Sequence, residues 1–185
     1  MEKTKEYLES SYEETVWRNA ETVYRLAYSL VRTRADADDI FQEVFLRYMQ
    51  SAPAFESAEH ERAWFLRVTI NCSKNFWKSP WVRRRVSMEP GDMEEAAAQN
   101  TRDMGEQTCG AGGVDLALID VVKRLPNKYR VVIHLFYYEE LSVEEIAAVT
   151  GAKASTVRTR LTRARRQLKA LLDGNRQWIK EGFHV

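Results

Sequence analysis

Apolar positions recur at helical intervals along two separate stretches of the chain. The segment from about Glu13 to Trp81 reads as helical: Val16, Val23, Leu26, Ala27 and Leu30 return every few residues, and no proline interrupts that run. Asp36 is placed to cap a second helix, with Asp38 and Asp39 in its first turn favourably set against the helix dipole. That helix is expected to run to about Gln50, with Pro53 just past its end. A third begins near Glu59 and passes through Trp64, Val68 and Cys72 to about Lys78, where Ser79-Pro80 breaks it. The β-branched run Val68-Thr69-Ile70 lowers helix propensity slightly, but nothing alternates as a strand would.

From Val86 to about Gly113 the periodicity dissolves. Pro90-Gly91, Gly105 and Gly110-Ala111-Gly112-Gly113 punctuate a stretch without an apolar face, which is expected to be a flexible linker. Helical spacing returns from about Val114 to Leu172. Leu116, Leu118, Ile119 and Val122 predict a short amphipathic helix ended by Leu125-Pro126. Asn127 can cap the next, which buries Val131, Val132, Leu135 and Phe136. Ser142 and Glu145 have the spacing of a capping box, and Leu141 can staple onto Ile146. The pattern predicts an all-α chain of two small helical domains, residues 1–86 and 114–173. A linker over 87–113 joins them and a tail over 174–185 follows.

Composition narrows the function classes. With 30% charged and 44% hydrophobic residues, the 185-residue chain matches a soluble globular protein. No apolar run approaches the roughly 20 residues that span a bilayer. The acidic, polar stretch from Met1 to Glu14 is unlike a secretory signal, so the expected compartment is the cytoplasm. Cys72 and Cys109 lie far apart, and His60, His134 and His184 are scattered, so no disulfide or metal site is expected. No phosphate-binding glycine loop or nucleophile elbow is present, which leaves no candidate catalytic or cofactor-binding residue.

The net charge of +1 hides strong segregation. Glu89, Asp92, Glu94, Glu95, Asp103 and Glu106 make the linker acidic against a single Arg102. Basic residues gather instead at Lys74, Lys78 and Arg83 to Arg85, and again at Lys153, Arg158, Arg160, Arg163, Arg165, Arg166 and Lys169. Separated basic blocks are the electrostatic footprint of nucleic-acid binding, although each block alone could be a solvated helix face.

Three constellations give that footprint content. In the C-terminal stretch Ala147, Gly151 and Val157 fall at the offsets of a helix-turn-helix: a small residue for close approach, a glycine for the turn, an apolar residue to lock the second helix. The second helix has an apolar stripe of Val157, Leu161, Ala164, Leu168 and Leu171. Ser155, Thr156, Arg158, Thr159, Arg160, Thr162 and Arg163 occupy its other faces, as a recognition helix requires. The alternative is a basic amphipathic helix packed on a partner or membrane surface. In the second constellation Asp39, Gln42, Glu43 and Leu46 share one stripe of a helix whose core face is Ile40, Phe41, Val44, Phe45 and Tyr48. That stripe suits a basic partner helix or simply solvent. In the third, Asn71, Lys74, Asn75 and Lys78 share a flank on which amides can read bases and ammoniums can hold phosphates. Phe76, Trp77 and Trp81 are interleaved with it, either to stack bases or to pack the core.

In order and wording these motifs resemble the extracytoplasmic-function (group IV) subfamily of sigma-70-type RNA polymerase sigma factors. Asp36-Ala37-Asp38-Asp39-Ile40-Phe41-Gln42-Glu43-Val44-Phe45-Leu46-Arg47 is similar to that family's region 2.2. Ala63-Trp64-Phe65-Leu66-Arg67-Val68 through Asn71 and Lys74-Asn75 is similar to regions 2.3 and 2.4. Leu125-Pro126-Asn127-Lys128-Tyr129-Arg130 through Leu172 is similar to region 4, the helix-turn-helix domain.

The resemblance implies that Asp39, Gln42, Glu43 and Leu46 bind core polymerase at the clamp helices of its β′ subunit. It implies that Phe55, Asn71, Lys74, Asn75 and Lys78 meet the single-stranded −10 element and hold a flipped base. Lys153, Ser155, Thr156, Arg158, Thr159, Arg160 and Arg163 would read the −35 element as duplex. The implied partners are core polymerase through its β′ and β subunits, promoter DNA and an anti-sigma factor, with no small-molecule substrate, no cofactor and no membrane insertion. Two positions depart from the family: Lys153 stands where a serine or similar cap is usual, and Asn75 where an aspartate is common. A helix-turn-helix repressor or activator would leave the Asp39–Glu43 and Asn71–Lys78 surfaces idle. An adaptor or anti-sigma-type protein would not need the basic recognition helix.

Overall fold

The computed structural model describes residues 12–31, 33–79 and 121–174. The expected linker, the helix segment over 116–120, Trp81, Arg83 to Arg85 and the tail beyond Gly174 lie outside the described residues. The chain divides into two compact units, within residues 1–110 and 111–185. All regular structure among the described residues is helical, so the chain is all-α.

In the first unit α1 (Tyr12–Leu30), α2 (Arg34–Ser51) and α3 (Ala58–Lys78) pack against one another. The cap of α2 is Thr33, not Asp36. The Thr33 hydroxyl accepts from the Asp36 amide at 3.1 Å, and the Asp36 carboxylate accepts from the Thr33 amide at 3.3 Å. The aspartate therefore closes a capping box from its third position, which also explains why it is buried. α2 ends at Ala52, whose left-handed backbone (φ 40°) turns the chain while its amide donates to the Tyr48 carbonyl. Ser57 caps α3 by accepting from the His60 amide at 3.2 Å.

These three helices meet on an aromatic core. Val23, Ala27, Val31, Ala37, Ile40 and Val44 are buried beside Phe45, Tyr48, Phe55, Phe65 and Cys72. Ring centroids lie 4.8 Å apart for Phe41–Phe45, 5.4 Å for Phe45–Phe65 and 5.2 Å for Tyr48–Phe65. Tilted pairs of this kind add about 0.5–1.5 kcal/mol each beyond the area they bury. At the other end Trp77 donates its indole N–H to the Leu30 carbonyl at 3.2 Å, tying the last turn of α3 to the end of α1.

The second unit holds α4 (Asn127–Tyr137), α5 (Val143–Thr150) and α6 (Ala154–Gly174), preceded by a helical turn at 121–123. Pro126, not Asn127, occupies the cap position of α4, and no side chain caps it. The Pro126 carbonyl accepts from the Tyr129 and Arg130 amides at 2.8 and 3.1 Å, which makes Asn127 the first helical residue. The buried face of α4 is also broader than expected. Val132 and Leu135 are buried as predicted, but Ile133 and His134 join them, while Val131 and Phe136 are only half-buried. The cause is that α4 packs against both α5 and α6. His134 is fully enclosed, 3.4 Å from the Glu139 carboxylate and stacked 5.0 Å from the Tyr138 ring.

Candidate nucleic-acid and polymerase interface

The helix-turn-helix is assembled from local hydrogen bonds. The Ser142 hydroxyl accepts from the Glu145 amide at 3.2 Å, and the Glu145 carboxylate accepts from the Ser142 amide at 2.8 Å, closing the expected capping box of α5. Ile146 is fully buried and Leu141 half-buried. Gly151 ends α5 in the left-handed region at φ 69°, and a Cβ added there would meet nothing within 4 Å. The turn thus needs glycine for its backbone conformation, not for space. The Lys153 carbonyl accepts from the Thr156 and Val157 amides at 2.9 and 3.0 Å, so Lys153 stands at the start of α6.

One stripe of α6 is committed to packing. Val157, Leu161 and Ala164 are buried, and Leu168 and Leu171 are half-buried. Ser155, Arg158, Thr159 and Arg163 are exposed, with Thr156 and Arg160 half-buried. A groove of about 320 Å³ is lined by Lys128 and Tyr129 of α4 and by Ser155, Thr156, Thr159, Arg160 and Arg163 of α6. Lys128, a basic residue in the first turn after Pro126 and part of the stretch similar to region 4, is brought to this groove by α4 although it is not among the expected −35 contacts. The Thr159 hydroxyl donates to the Ser155 carbonyl at 2.9 Å, so what it offers outward is its acceptor lone pairs. Arg158 is engaged by Glu144 on α5 at 2.7 Å. Arg165 is occupied elsewhere: its Nε donates to the Tyr137 hydroxyl at 2.9 Å, and its guanidinium lies 5.0 Å from the Phe136 ring centre.

In the first unit Asn71, Lys74, Asn75 and Lys78 form one exposed flank of α3, one to two turns long, while Phe65, Leu66, Ile70, Cys72 and Ser73 are buried. The neighbouring aromatics close the core. Phe76 packs against it, and Trp77 is bonded to the Leu30 carbonyl. Phe55 departs from the expectation of an accessible base-contacting residue. Only 7% exposed, its ring is enclosed by Trp64 at 5.8 Å, Tyr48 at 6.2 Å and His60 at 5.7 Å. An apolar ring offered aromatic neighbours on several sides, Phe65 at 6.3 Å among them, is drawn into the core rather than left beside the polar flank.

The exposed stripe of α2 contains Asp39, Gln42, Glu43 and Leu46, the last 51% exposed, and the structure extends it to Met49 at 62%. Two bare apolar side chains one turn apart beside three polar ones make a surface that can be both wetted and packed against. Glu43 pairs with Arg47 at 2.7 Å, and that bond is the first cause holding the Arg47 guanidinium above its ordinary pKa.

The comparisons with known proteins fall on the same two units. Family models match at residues 16–83 (Sigma-70 region 2) and 115–168 (Sigma-70, region 4). The chain is 34% identical to the ECF RNA polymerase sigma factor SigE of Mycolicibacterium smegmatis, over 88% of this chain and 62% of that protein. It thus spans slightly less than two thirds of that relative. It is 30% identical to the RNA polymerase sigma-E factor of Streptomyces coelicolor, over 85% of this chain and 84% of that protein. Its fold is similar to that of the sigma factor RpoE of Bartonella quintana, solved in complex with the anti-sigma factor NepR. That match has a TM-score of 0.63 and 21% identity, over 88% of this chain and 96% of that one. With both family regions present, in order, on the two helical units, the chain belongs to the extracytoplasmic-function subfamily of sigma-70-type RNA polymerase sigma factors, whose work is promoter recognition and transcription initiation.

Proposed function

We propose that this chain binds core RNA polymerase, through its β′ and β subunits, and directs it to a specialised set of promoters, performing no chemistry itself. The observation that carries the reading is the groove of the second unit, where a lysine of α4 meets arginine and hydroxyl side chains of α6, the second helix of the glycine-turned pair. Phosphates are held by such cations, and base edges are read by such hydroxyls and arginines. Lys153, Ser155, Thr156, Arg158, Thr159, Arg160 and Arg163 are assigned to the −35 duplex, with Lys128 added as a phosphate contact. Asn71, Lys74, Asn75 and Lys78 are assigned to the opened −10 strand. Phe55 is assigned to the aromatic floor beneath it, from which its ring must swing out to touch a base.

Asp39, Gln42, Glu43 and Leu46 are assigned to the polymerase clamp helices. Residues 1–86 and 114–173 then act as the two binding units and 87–113 as their tether. An anti-sigma factor is a further expected partner, as one holds the solved relative. We place the protein in the cytoplasm, where polymerase is, without membrane insertion or a small-molecule substrate. No helix among the described residues is long and apolar enough to cross a membrane.

Holoenzyme on two templates tests the reading, one fully duplex and one with a pre-melted −10 bubble. Arg160→Ala should weaken binding to both. Asn71→Ala should slow opening on the duplex and lose base preference within the exposed strand. Identical failure of both variants on both templates would overturn the division into duplex-reading and strand-reading surfaces.

A further inference from the structure

Arg158 does not project from α6 unheld. Its Nη2 donates to Glu144 Oε1 at 2.7 Å, bridging the two helices of the helix-turn-helix across 14 positions of sequence. Both side chains are mostly exposed, at 62% and 66%, so the bond lies in water, where an isolated bridge adds little to stability. Its consequence is geometric. An exposed arginine samples many rotamers, and beside a duplex the densest target is phosphate, which carries no sequence information. Base readout by arginine needs the guanidinium plane held at one angle, because the bond to a guanine edge is bidentate.

Glu144 is suited to hold it. It lies in the first turn of α5, within hydrogen-bond reach of Arg158 on α6. Its neighbour Glu145 is turned back onto Ser142 in the capping box. One of the five guanidinium N–H groups goes to Glu144, and the others remain for DNA.

We infer that Glu144 is a positioning residue that sets promoter specificity, by fixing Arg158 as a base reader and by repelling phosphate that would otherwise capture it. The inference rests on the reading of α6 as the −35 recognition helix. It concerns a residue outside the set assigned to DNA, and a carboxylate where cations are expected. Repulsion and restraint act together: each lowers binding to unrelated duplex more than binding to the promoter.

Holoenzyme made with the full chain, presented with promoter fragments randomised over the −35 element, provides the test. Wild type, Glu144→Gln, Arg158→Ala and the double variant are compared at two salt concentrations, with helix content and melting followed in each. Arg158→Ala should flatten the base preference at one or two positions. Glu144→Gln should flatten the same positions by about fivefold or more. It should also tighten binding to unrelated duplex and steepen the log–log salt slope by up to about one. In the Arg158→Ala background Glu144→Gln should change the preference no further.

Wild-type preference in a folded Glu144→Gln chain, or independent effects of the two substitutions, would overturn the inference. If Arg158→Ala alone left the preference intact, Arg158 would not be a base reader and the inference would fall with it. If wild-type holoenzyme showed no −35 preference at all, the proposed function itself would fail.

Discussion

Asn19 holds the carboxylate of Glu61. Its side-chain amide donates to Glu61 Oε1 and to the Thr15 carbonyl at 2.9 Å, while Arg18 Nη1 reaches both Glu61 oxygens at 3.3 Å. Glu61 is 2% exposed and Asn19 4%, so the first turn of α3 is fastened to α1 by a buried charge. Removing the acceptor leaves the buried Asn19 amide with only its bond to the Thr15 carbonyl. Glu61→Ala should therefore destabilise the first unit by roughly 2–3 kcal/mol. Arg18→Ala should cost under about 1 kcal/mol, because that side chain is 42% exposed. Thermal unfolding of both variants separates the cases, and equal losses would place the weight on the arginine instead.

Reversing charge at Asp39 and Glu43 should weaken capture of core polymerase while leaving the helices folded. Both side chains are exposed, and the fold loses only the Glu43–Arg47 pair, worth about 0.5 kcal/mol on a helix surface. Each charge-assisted contact to a partner is worth roughly 1.5–3 kcal/mol, so the double change should remove most of the affinity. A folded double variant that still captures core polymerase in a pull-down would take α2 out of that interface.

The turn between α5 and α6 offers a clean backbone experiment. Gly151→Ala introduces no clash, since its Cβ would meet open space, yet forces a side chain into φ 69°. The expected cost is about 1–2 kcal/mol. For a unit of this size that lowers the melting temperature by about 4–8 °C per kcal/mol. Gly151→Asn should cost less, because asparagine tolerates this region. An unchanged melting temperature in the alanine variant would mean that the turn relaxes to another conformation.

Cys72 supplies a pH dependence. Burial pushes its thiol above the ordinary range, and the nearby Arg47 guanidinium offsets this only in part. The folded chain thus keeps a proton that the unfolded chain loses. Its contribution to stability is full below the ordinary thiol pKa and falls as the pH rises above it. In a Cys109→Ser background, a thiol reagent at mildly alkaline pH should react at Cys72 at least about tenfold more slowly when the chain is folded. Equal rates would mean that the α2–α3 packing opens freely.

What the sequence made legible was what short-range chemistry controls. The Ser142–Glu145 box and the Gly151 turn each lie within a few residues, and both stand where the spacing placed them. The cap of α2 lies three residues before Asp36, because threonine and aspartate three apart make a capping box from the threonine, with the more obvious carboxylate as its third residue. Asn127 likewise follows the cap of α4, since Pro126 already holds the position before the helix. The misses at the site are long-range. Nothing near Phe55 in sequence announces that Tyr48 and Trp64 will enclose it, nor that Trp77 will reach the Leu30 carbonyl 47 residues away. Lys128 joins α6 at a common groove only because α4 packs across that helix.

The aromatic stack between α2 and α3 has a mechanical meaning. Phe45 and Tyr48 point inward from the helix that carries Asp39, Gln42 and Glu43 outward, and Phe65 meets them from the helix that carries Asn71 and Lys74 outward. Close-packed rings do not slide past one another in small steps. The two outer faces are therefore jaws of one rigid gauge block. Anything gripped on α2 is held at a set distance and angle from anything gripped on α3, and a substitution that shrinks Phe65 would change that setting without touching either face.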